Sequence, residues 1–585
     1  MPESSPDTDS LPSRIAALVH AHFDGLPKRS KPVIRDDGTA EWIPMTGIVL
    51  VKGANTPEEQ LTCIAVTTGA KCLPASQIPH CNGLVLHDCH AEILAMRAFN
   101  YWLLSECRAI LTSKQQRPSN SRDGKGEPVP PSPSPYIRRR RRQSQELTGL
   151  FPPFEICPDV DIYMYCTCAP CGDASMELVM AAQDDPTPWA LPNTASIQSP
   201  DPSNTTLLSG RGHFSQLGIV RRKPARADAE STKSKSCSDK IALRQVTSLL
   251  SYENSLLVAV TANAYIKGLV MPAEEINKSG CERCFGGGKT GRMTGLDGRV
   301  WPVDVDTGAG TSPFSGEQVE MEEASDCDSQ RCNRYSYAFR PFEILSIPNT
   351  QLKALWAFRK PRATDSILKG ETQDASSPLK KAKPGTISAV WVRAPTPTHP
   401  PSTTNSRNSG LESAMPPSDN GTKTLPVLRG SRTGLFESII NGVRQGHKAF
   451  SPGPGIRGAS ALCRARMWEL WRGTASNTFQ HTGDDGTGPV DNNEDGGVEV
   501  QINNEISTAF QASTYKAFKE LKPGGSSGVV LARREAMNAA KDVLGGWVPN
   551  EGDEGWGWRW KLGELVDAEG NLVEMDPKGS KKRKR

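Results

Sequence analysis

Three short words stand far apart in the sequence, and a fold that brings them together has little freedom. They are His90-Ala-Glu92, Ala169-Pro-Cys171-Gly-Asp173 and Ser236-Cys237-Ser-Asp-Lys240. Zinc prefers imidazole and thiolate ligands, and a catalytic zinc site uses three protein ligands with the fourth position left for water. His90, Cys171 and Cys237 supply one His and two Cys. His90 and Cys171 each stand at the expected start of a helix, where the dipole lowers a thiol pKa and favours an anionic ligand set. Glu92 lies two residues from His90, placed to move protons without binding metal. Singly, each word is weak. A lone His ahead of a helix is usually a cap or a surface residue, and a lone Cys a small buried hydrophobe.

The rest of the chain alternates between patterned and loose stretches. From about Thr46 to Cys107 the pattern is dense: Gly47–Val51 and Thr62–Val66 read as short apolar strands, and His90–Leu104 as a helix packed on them. Asp161–Tyr165 is another strand, and Asp173–Ala182, Asp239–Leu250, Gly458–Gly473 and Thr514–Trp547 have helical spacing, the last broken at Pro523–Gly528. Between these blocks the sequence is rich in Pro, Ser and Gly. Hydrophobic residues are only 36%, with 52 Gly and 46 Pro, which suggests a globular part carrying disordered insertions. Low-complexity insertions are expected near 112–153, 184–212, 361–426 and 476–504, although Ile387–Trp391 inside the third has a strand pattern. The expected division is an N-terminal segment 1–45, partly flexible, one α/β domain over 46–548, and a tail 549–585 with a basic end.

Several classes fall away. The start is too polar for a signal peptide, and no run approaches the length and apolarity of a membrane helix. Fifteen cysteines in an apparently intracellular chain read as buried thiols or metal ligands rather than a disulfide framework. A net charge of +4 is too small to mark the whole chain as a polycation, so any useful charge signal is local. Cys281, Cys284, Cys327 and Cys332 have spacings open to a structural metal, with a loop of free thiols the commoner outcome. Gly286–Thr290 looks like half a phosphate-binding loop, but Arg283 stands where its first glycine is required, which rejects nucleotide binding there.

Zinc nucleobase deaminases carry H-x-E followed by P-C-x-x-C. Here Ala174 stands where the second cysteine of that pair belongs, and the next cysteine downstream is Cys237. Cys168-Ala-Pro-Cys171 forms a C-x-x-C ending at the expected ligand, which makes Cys168 a competitor. The words Leu86-His-Asp-Cys-His90-Ala-Glu, Pro170-Cys-Gly-Asp173 and Ser236-Cys-Ser-Asp-Lys240, with the third cysteine so far away, resemble the adenosine deaminases acting on RNA and on tRNA. Thr68-Gly-Ala-Lys-Cys72, Ser460-Ala-Leu-Cys-Arg464 and Tyr515-Lys-Ala-Phe-Lys519 fit the same family, so the resemblance covers discontinuous blocks from about residue 46 to 548.

That resemblance implies a three-layer α/β/α cytidine-deaminase-like domain elaborated with C-terminal helices. It implies zinc on His90, Cys171 and Cys237, Glu92 as proton shuttle, and hydrolysis of adenosine to inosine. It also implies a buried inositol hexakisphosphate, held at the matching positions Arg97, Lys240, Arg464, Tyr515, Lys519, Lys541 and Trp547. Met96, Leu243 and Met537 depart from the family pattern there, and Arg244 offers a substitute cation. Lys71 is a candidate RNA phosphate contact, and Arg221–Arg226 resembles the R-K-P-x-R stretch of the tRNA-acting branch, with Arg222, Lys223 and Arg226 as RNA contacts on a loop near the pocket mouth. No double-stranded RNA-binding domain fits the 89 residues ahead of His90 or any later insertion, so tRNA is the expected substrate, at adenosine 37 of tRNA-Ala. Rival expectations are editing of double-stranded RNA and a non-catalytic RNA-binding scaffold. The run Lys581–Arg585 suggests nuclear entry, with nucleus, cytoplasm or both as the location, while Arg138–Arg142 is left without a role. No obligate protein partner is indicated.

Overall fold

The computed structural model describes residues 9–34, 41–115, 134–140, 152–182, 208–209, 214–223, 230–303, 335–360, 383–396, 430–431, 434–450, 453–482, 508–521, 528–559 and 564–573. Its centre is one mixed sheet. The main strands are β1 (Met45–Lys52), β2 (Gln60–Thr68), β7 (Val160–Cys166), β8 (Ile266–Pro272), β9 (Glu343–Ile347), β10 (Ser388–Arg393) and β11 (Gly434–Ile440). They lie in the order β9-β8-β7-β1-β2-β10-β11. β8 runs parallel to β7 and β9, while β1 is antiparallel to both β2 and β7, and β10 to β2 and β11. Short hairpins lie outside the sheet: β3 (Ala70–Cys72) with β4 (Asp88–His90), and β5 (Ile137–Arg139) with β6 (Phe154–Ile156).

Alternation along β1 divides the apolar interior into two cores. Successive strand residues point to opposite faces, so Ile48 and Leu50 enter one core while Met45, Val49 and Val51 enter the other. The first core is covered by α2 (Ala91–Gln115), α4 (Cys237–Thr247) and the C-terminal helices α5 (Arg464–Thr482), α6 (Tyr515–Lys519) and α7 (Val529–Leu544). The second is covered by α1 (Leu11–Asp24), whose Ile15, Ala16, Val19 and Phe23 are buried. Among the described residues, the short α3 (Met176–Ala181) is the α-helix between α2 and α4. Helices on both faces of the sheet make the expected three-layer α/β/α arrangement. No helix among the described residues is long and apolar enough to cross a membrane.

The boundaries differ from the expectation at both ends. Helix α1, assigned to a separate segment, forms part of the second core. At the other end Asp553, Trp556 and Trp558 are buried in the domain rather than in a detached tail. The loose stretch 361–426 contributes β10, a strand with a neighbour on each side. β10 falls where Ile387–Trp391 has its strand pattern, within Pro- and Ser-rich flanks.

Candidate metal centre and its basic surroundings

His90 ends β4 and Glu92 sits in the first turn of α2, directly after it. Pairing of β3 with β4 sets Lys71 opposite Cys89 and Ala70 opposite His90. Cys171 lies in the loop that leaves β7, just ahead of a turn of 3-10 helix at Asp173–Ser175. Cys237 is the first residue of α4, capped by Ser236, whose hydroxyl accepts from the Asp239 N–H. The helix-start position therefore belongs to Cys237 rather than to Cys171.

The three expected ligands meet. Cys171 Sγ and Cys237 Sγ lie 3.7 and 3.6 Å from His90 Nδ1. For a tetrahedral ion with Zn–S near 2.3 Å and Zn–N near 2.05 Å, the ligand–ligand edge is about 3.6 Å. The donor set thus fits zinc in both chemistry and spacing, and Cys168 is outside the cluster. The Cys171 thiol is held well below its ordinary value by a hydrogen bond with Cys237, against burial, and the Lys223 ammonium and His90 lower it further. Gly172 makes the approach of the two loops possible. Its φ is +114°, and a Cβ there would meet Ser236 Oγ at 2.2 Å and its Cβ at 2.5 Å. Gly172→Ala is expected to push the Cys171 loop off Cys237, costing about 1–3 kcal/mol of stability and about tenfold or more in zinc affinity. Thermal melting and a competitive zinc titration check both effects.

Glu92 is 3% exposed, and its Oε2 has no hydrogen-bond partner. Burial, then the neighbouring Cys171 thiolate, pushes its pKa up, while His90 and Lys223 pull it down. A raised carboxyl with one free oxygen can hold a proton and hand it on near neutral pH.

Asp88, which carried no signal in the sequence reading, organises the floor of the site. Its carboxylate accepts from Lys223 Nζ at 2.8 and 3.1 Å, Lys240 Nζ at 2.5 Å, Ser234 Oγ at 2.5 Å and the His90 N–H at 3.0 Å. Lys223 Nζ also donates to Cys237 Sγ at 3.3 Å. Burial alone would lower the Lys223 ammonium, but Asp88 and the nearby cysteine sulfurs outweigh it and hold the group well above its usual value. The sequence reading set Lys223 on a surface loop as an RNA contact. With 4% exposure and its charge committed to Asp88 and the Cys237 sulfur, it is a structural cation behind the His–Cys–Cys cluster instead. Arg222 is half-buried on a two-residue strand, and Arg226 lies outside the described residues. Lys71 is exposed on β3, beside the metal ligands.

The positions expected to hold a polyanion fall into two adjoining groups. In one, Lys519, Arg97, Arg244, Arg464 and Arg533 lie close to one another around Glu253, and Arg464 is also paired with Asp553 and Glu554. Tyr515 donates to Glu253 at 3.1 Å, and Lys519 Nζ stands 4.1 Å over the Tyr252 ring. Burial and the neighbouring arginines push Lys519 down to about 8, and burial with Arg533 pushes Arg244 down to about 9. In the other, Lys235 lies with Lys240, Lys541 and Arg222, its Nζ 5.5 Å over the Trp547 ring, and burial with those cations lowers it to about 7. Buried cations outnumber their carboxylates, and a cation-rich interior of this kind fits a bound polyanion. Arg244 fills the place left by Leu243, while Arg533 and Lys235 were missed because nothing in their local sequence distinguishes them from surface bases.

Cys281 and Cys284 are buried on the helix Lys278–Phe285, whereas Cys327 and Cys332 lie outside the described residues, as do Lys581–Arg585. Two other groups could hold a cation geometrically: Cys72 with Asp88 and His90, and Cys81 with His87 and Asp553. Both aspartates are already occupied, Asp88 by two ammonium groups and Asp553 by His87 at 2.9 Å and Arg464 at 3.4 Å.

Residues 65–124 match the model of the adenosine-deaminase (editase) domain. The chain is 36% identical to tRNA-specific adenosine deaminase 1 of Schizosaccharomyces pombe over 273 residues, which is 46% of this chain and 60% of that protein. It is 30% identical to the Saccharomyces cerevisiae protein of the same name over 322 residues, 54% of this chain and 70% of that protein. A shorter match, 40% over 77 residues, links it to the mouse double-stranded RNA-specific editase B2, covering 13% of this chain and 10% of the editase. The His–Cys–Cys geometry, the buried Glu92 carboxylate and these relatives agree, and the chain belongs to the adenosine deaminase (editase) family.

Proposed function

We propose that the protein hydrolyses adenosine to inosine in tRNA, with adenosine 37 of tRNA-Ala as its target. The observation that carries this reading is the buried Glu92 carboxylate, with one unpartnered oxygen, beside a His–Cys–Cys cluster of zinc dimensions. A zinc ion on His90, Cys171 and Cys237 would supply the Lewis acidity that makes a water nucleophilic at neutral pH. Glu92 takes a proton from that water as it attacks C6 of adenine and passes it to ring N1. Glu92 then takes the second proton from the new C6 hydroxyl and delivers it to the C6 amine; the C6–N bond breaks as the carbonyl forms, so adenosine and water give inosine and ammonia. The ammonium of Lys223 and the carboxylate of Asp88 hold Cys237 and the His90 backbone in place through these transfers.

The tRNA substrate is supported by the names of the two yeast relatives, and a loop nucleotide is cheaper to extrude than a paired one. Inositol hexakisphosphate is the polyanion proposed for the cation-rich interior, with Lys71 as a phosphate contact beside the flipped base. The nucleus, the cytoplasm or both are the proposed location. The test is to incubate purified protein with total tRNA, map inosine by sequencing, and analyse the denatured protein for released inositol phosphate by mass spectrometry. Inosine at position 37 of tRNA-Ala is expected. Unmodified tRNA-Ala alongside deamination of a long perfect duplex would favour the double-stranded RNA reading instead.

A further inference from the structure

Arg138–Arg142 is a strong charge run that the deaminase reading leaves without a role. Its first two residues belong to β5, paired with β6 at the end of the sheet where β7 begins. There the hairpin forms one wall of a cavity of about 170 Å³, lined by Arg138, Glu155, Pro158, Thr261, Asn263 and Arg340 among others. Arg138 is paired with Glu155 at 2.6 Å, and the same carboxylate accepts from Tyr335 at 2.8 Å. Arg340 is different. It is half-buried, its guanidinium carbon stands 5.5 Å from the Tyr265 ring centroid, no carboxylate among the described residues lies within ion-pair distance of it, and its Nε is buried without a hydrogen-bond partner. Thr261 is 8% exposed, and its hydroxyl is likewise buried and unpartnered.

Buried polar atoms are nearly always satisfied, and an unpaired cation is costly away from water. Arg340, with its Nε unpartnered, and Thr261, with its hydroxyl unpartnered, line one cavity together with Arg138, and such a lining suits a ligand rich in anionic oxygens. The planar donor fork of arginine suits the two non-bridging oxygens of a phosphodiester. With Arg138 and Arg340 against Glu155, the lining carries net positive charge. We propose that this cavity binds a phosphate of the RNA backbone and anchors the substrate away from the deamination centre. The two sites lie beyond opposite ends of β7, a strand of roughly 20 Å. A chain that must grip a folded RNA can use a second phosphate contact to fix its orientation, since such contacts position without reading sequence. The proposal rests on the reading of RNA as substrate.

The test compares wild type with Arg340→Gln and Thr261→Val by fluorescence anisotropy on intact tRNA over a range of salt. Arg340→Gln is expected to weaken binding about 5- to 15-fold and to reduce the log–log salt slope by about one, as loss of one phosphate contact requires. Thr261→Val should weaken binding about threefold with an unchanged or higher melting temperature, because it removes an unsatisfied buried hydroxyl. At saturating tRNA the rate of inosine formation should stay unchanged in both, since neither residue touches the reacting base. Wild-type affinity and salt slope in both variants would overturn the proposal. So would a melting temperature raised by millimolar inorganic phosphate in wild type but not in Arg340→Gln, with tRNA affinity unaltered, because the cavity would then serve a free anion. If wild type forms no inosine yet Arg340→Gln still loses tRNA affinity, the deaminase reading fails and the anchoring site stands.

Discussion

Glu92→Gln is expected to reduce inosine formation by about 10³-fold while zinc content and tRNA affinity stay at the wild-type level. Amide and carboxyl have nearly the same shape, so the first turn of α2 and the position of His90 are preserved. The amide cannot accept the water proton or return it, and general acid–base transfer is worth on the order of 10²–10⁴ in rate. Stability should move the other way. Burial makes the Glu92 carboxylate unfavourable, as its raised pKa reports, so a neutral amide is expected to leave the melting temperature unchanged or slightly higher. A group whose acid form is favoured in the fold stabilises below its ordinary pKa and loses that contribution as pH rises through the shifted value. The glutamine variant should therefore show a smaller fall in stability from acid to neutral pH than wild type. Single-turnover assays, elemental analysis and melting curves at several pH values check the set. Residual activity within tenfold of wild type would remove Glu92 from the chemistry.

Cys237→Ala is expected to abolish stoichiometric zinc and to destabilise the protein more than Cys171→Ala does. With three protein ligands, loss of either thiolate leaves two, too few for a tight site. The two cysteines differ in what stands behind them. Cys237 Sγ accepts from the buried Lys223 ammonium, whereas Cys171 lies in a partly exposed loop. Removing Cys237 leaves Lys223 with Asp88 alone, in a set where Lys240 already shares that carboxylate, and an undercompensated buried charge costs about 3 kcal/mol or more. Cys168→Ala should keep full zinc. Elemental analysis of the three variants and urea melts give the ordering. Full zinc in Cys237→Ala together with loss in Cys168→Ala would reassign the ligands.

How much of this was legible in the chain depends on what each residue must be recognised against. The zinc words could be read because the chemistry needs particular residue types in particular places: a helix-start His, a Glu two residues later, and cysteines in Gly- and Ser-rich turns. The strands β1, β2 and β7 could be read because alternation and apolar runs carry a local signature, and so could β10 inside its loose flanks. Asp88, Lys223, Lys235 and Arg533 could not. A buried Lys and an exposed Lys are the same letter, and only the field around it tells them apart. Lys223 lies in a basic run that reads as an RNA contact, yet the fold turns it inward onto Asp88 and Cys237.

The arginine run shows the same limit from the other side. As sequence it is a patch of charge without an address. Its use depends on Thr261 and Arg340, residues far away in the chain, whose unpaired polar atoms share a cavity with it only after the sheet forms. Residue types and short-range spacing are properties of the covalent chain, so the candidate ligand types and the strand periodicities were determined there. Burial, charge pairing and the partnering of distant side chains depend on which surfaces leave water together. Only the tertiary structure decided those, because desolvation energy belongs to the packed arrangement and not to any single stretch of residues.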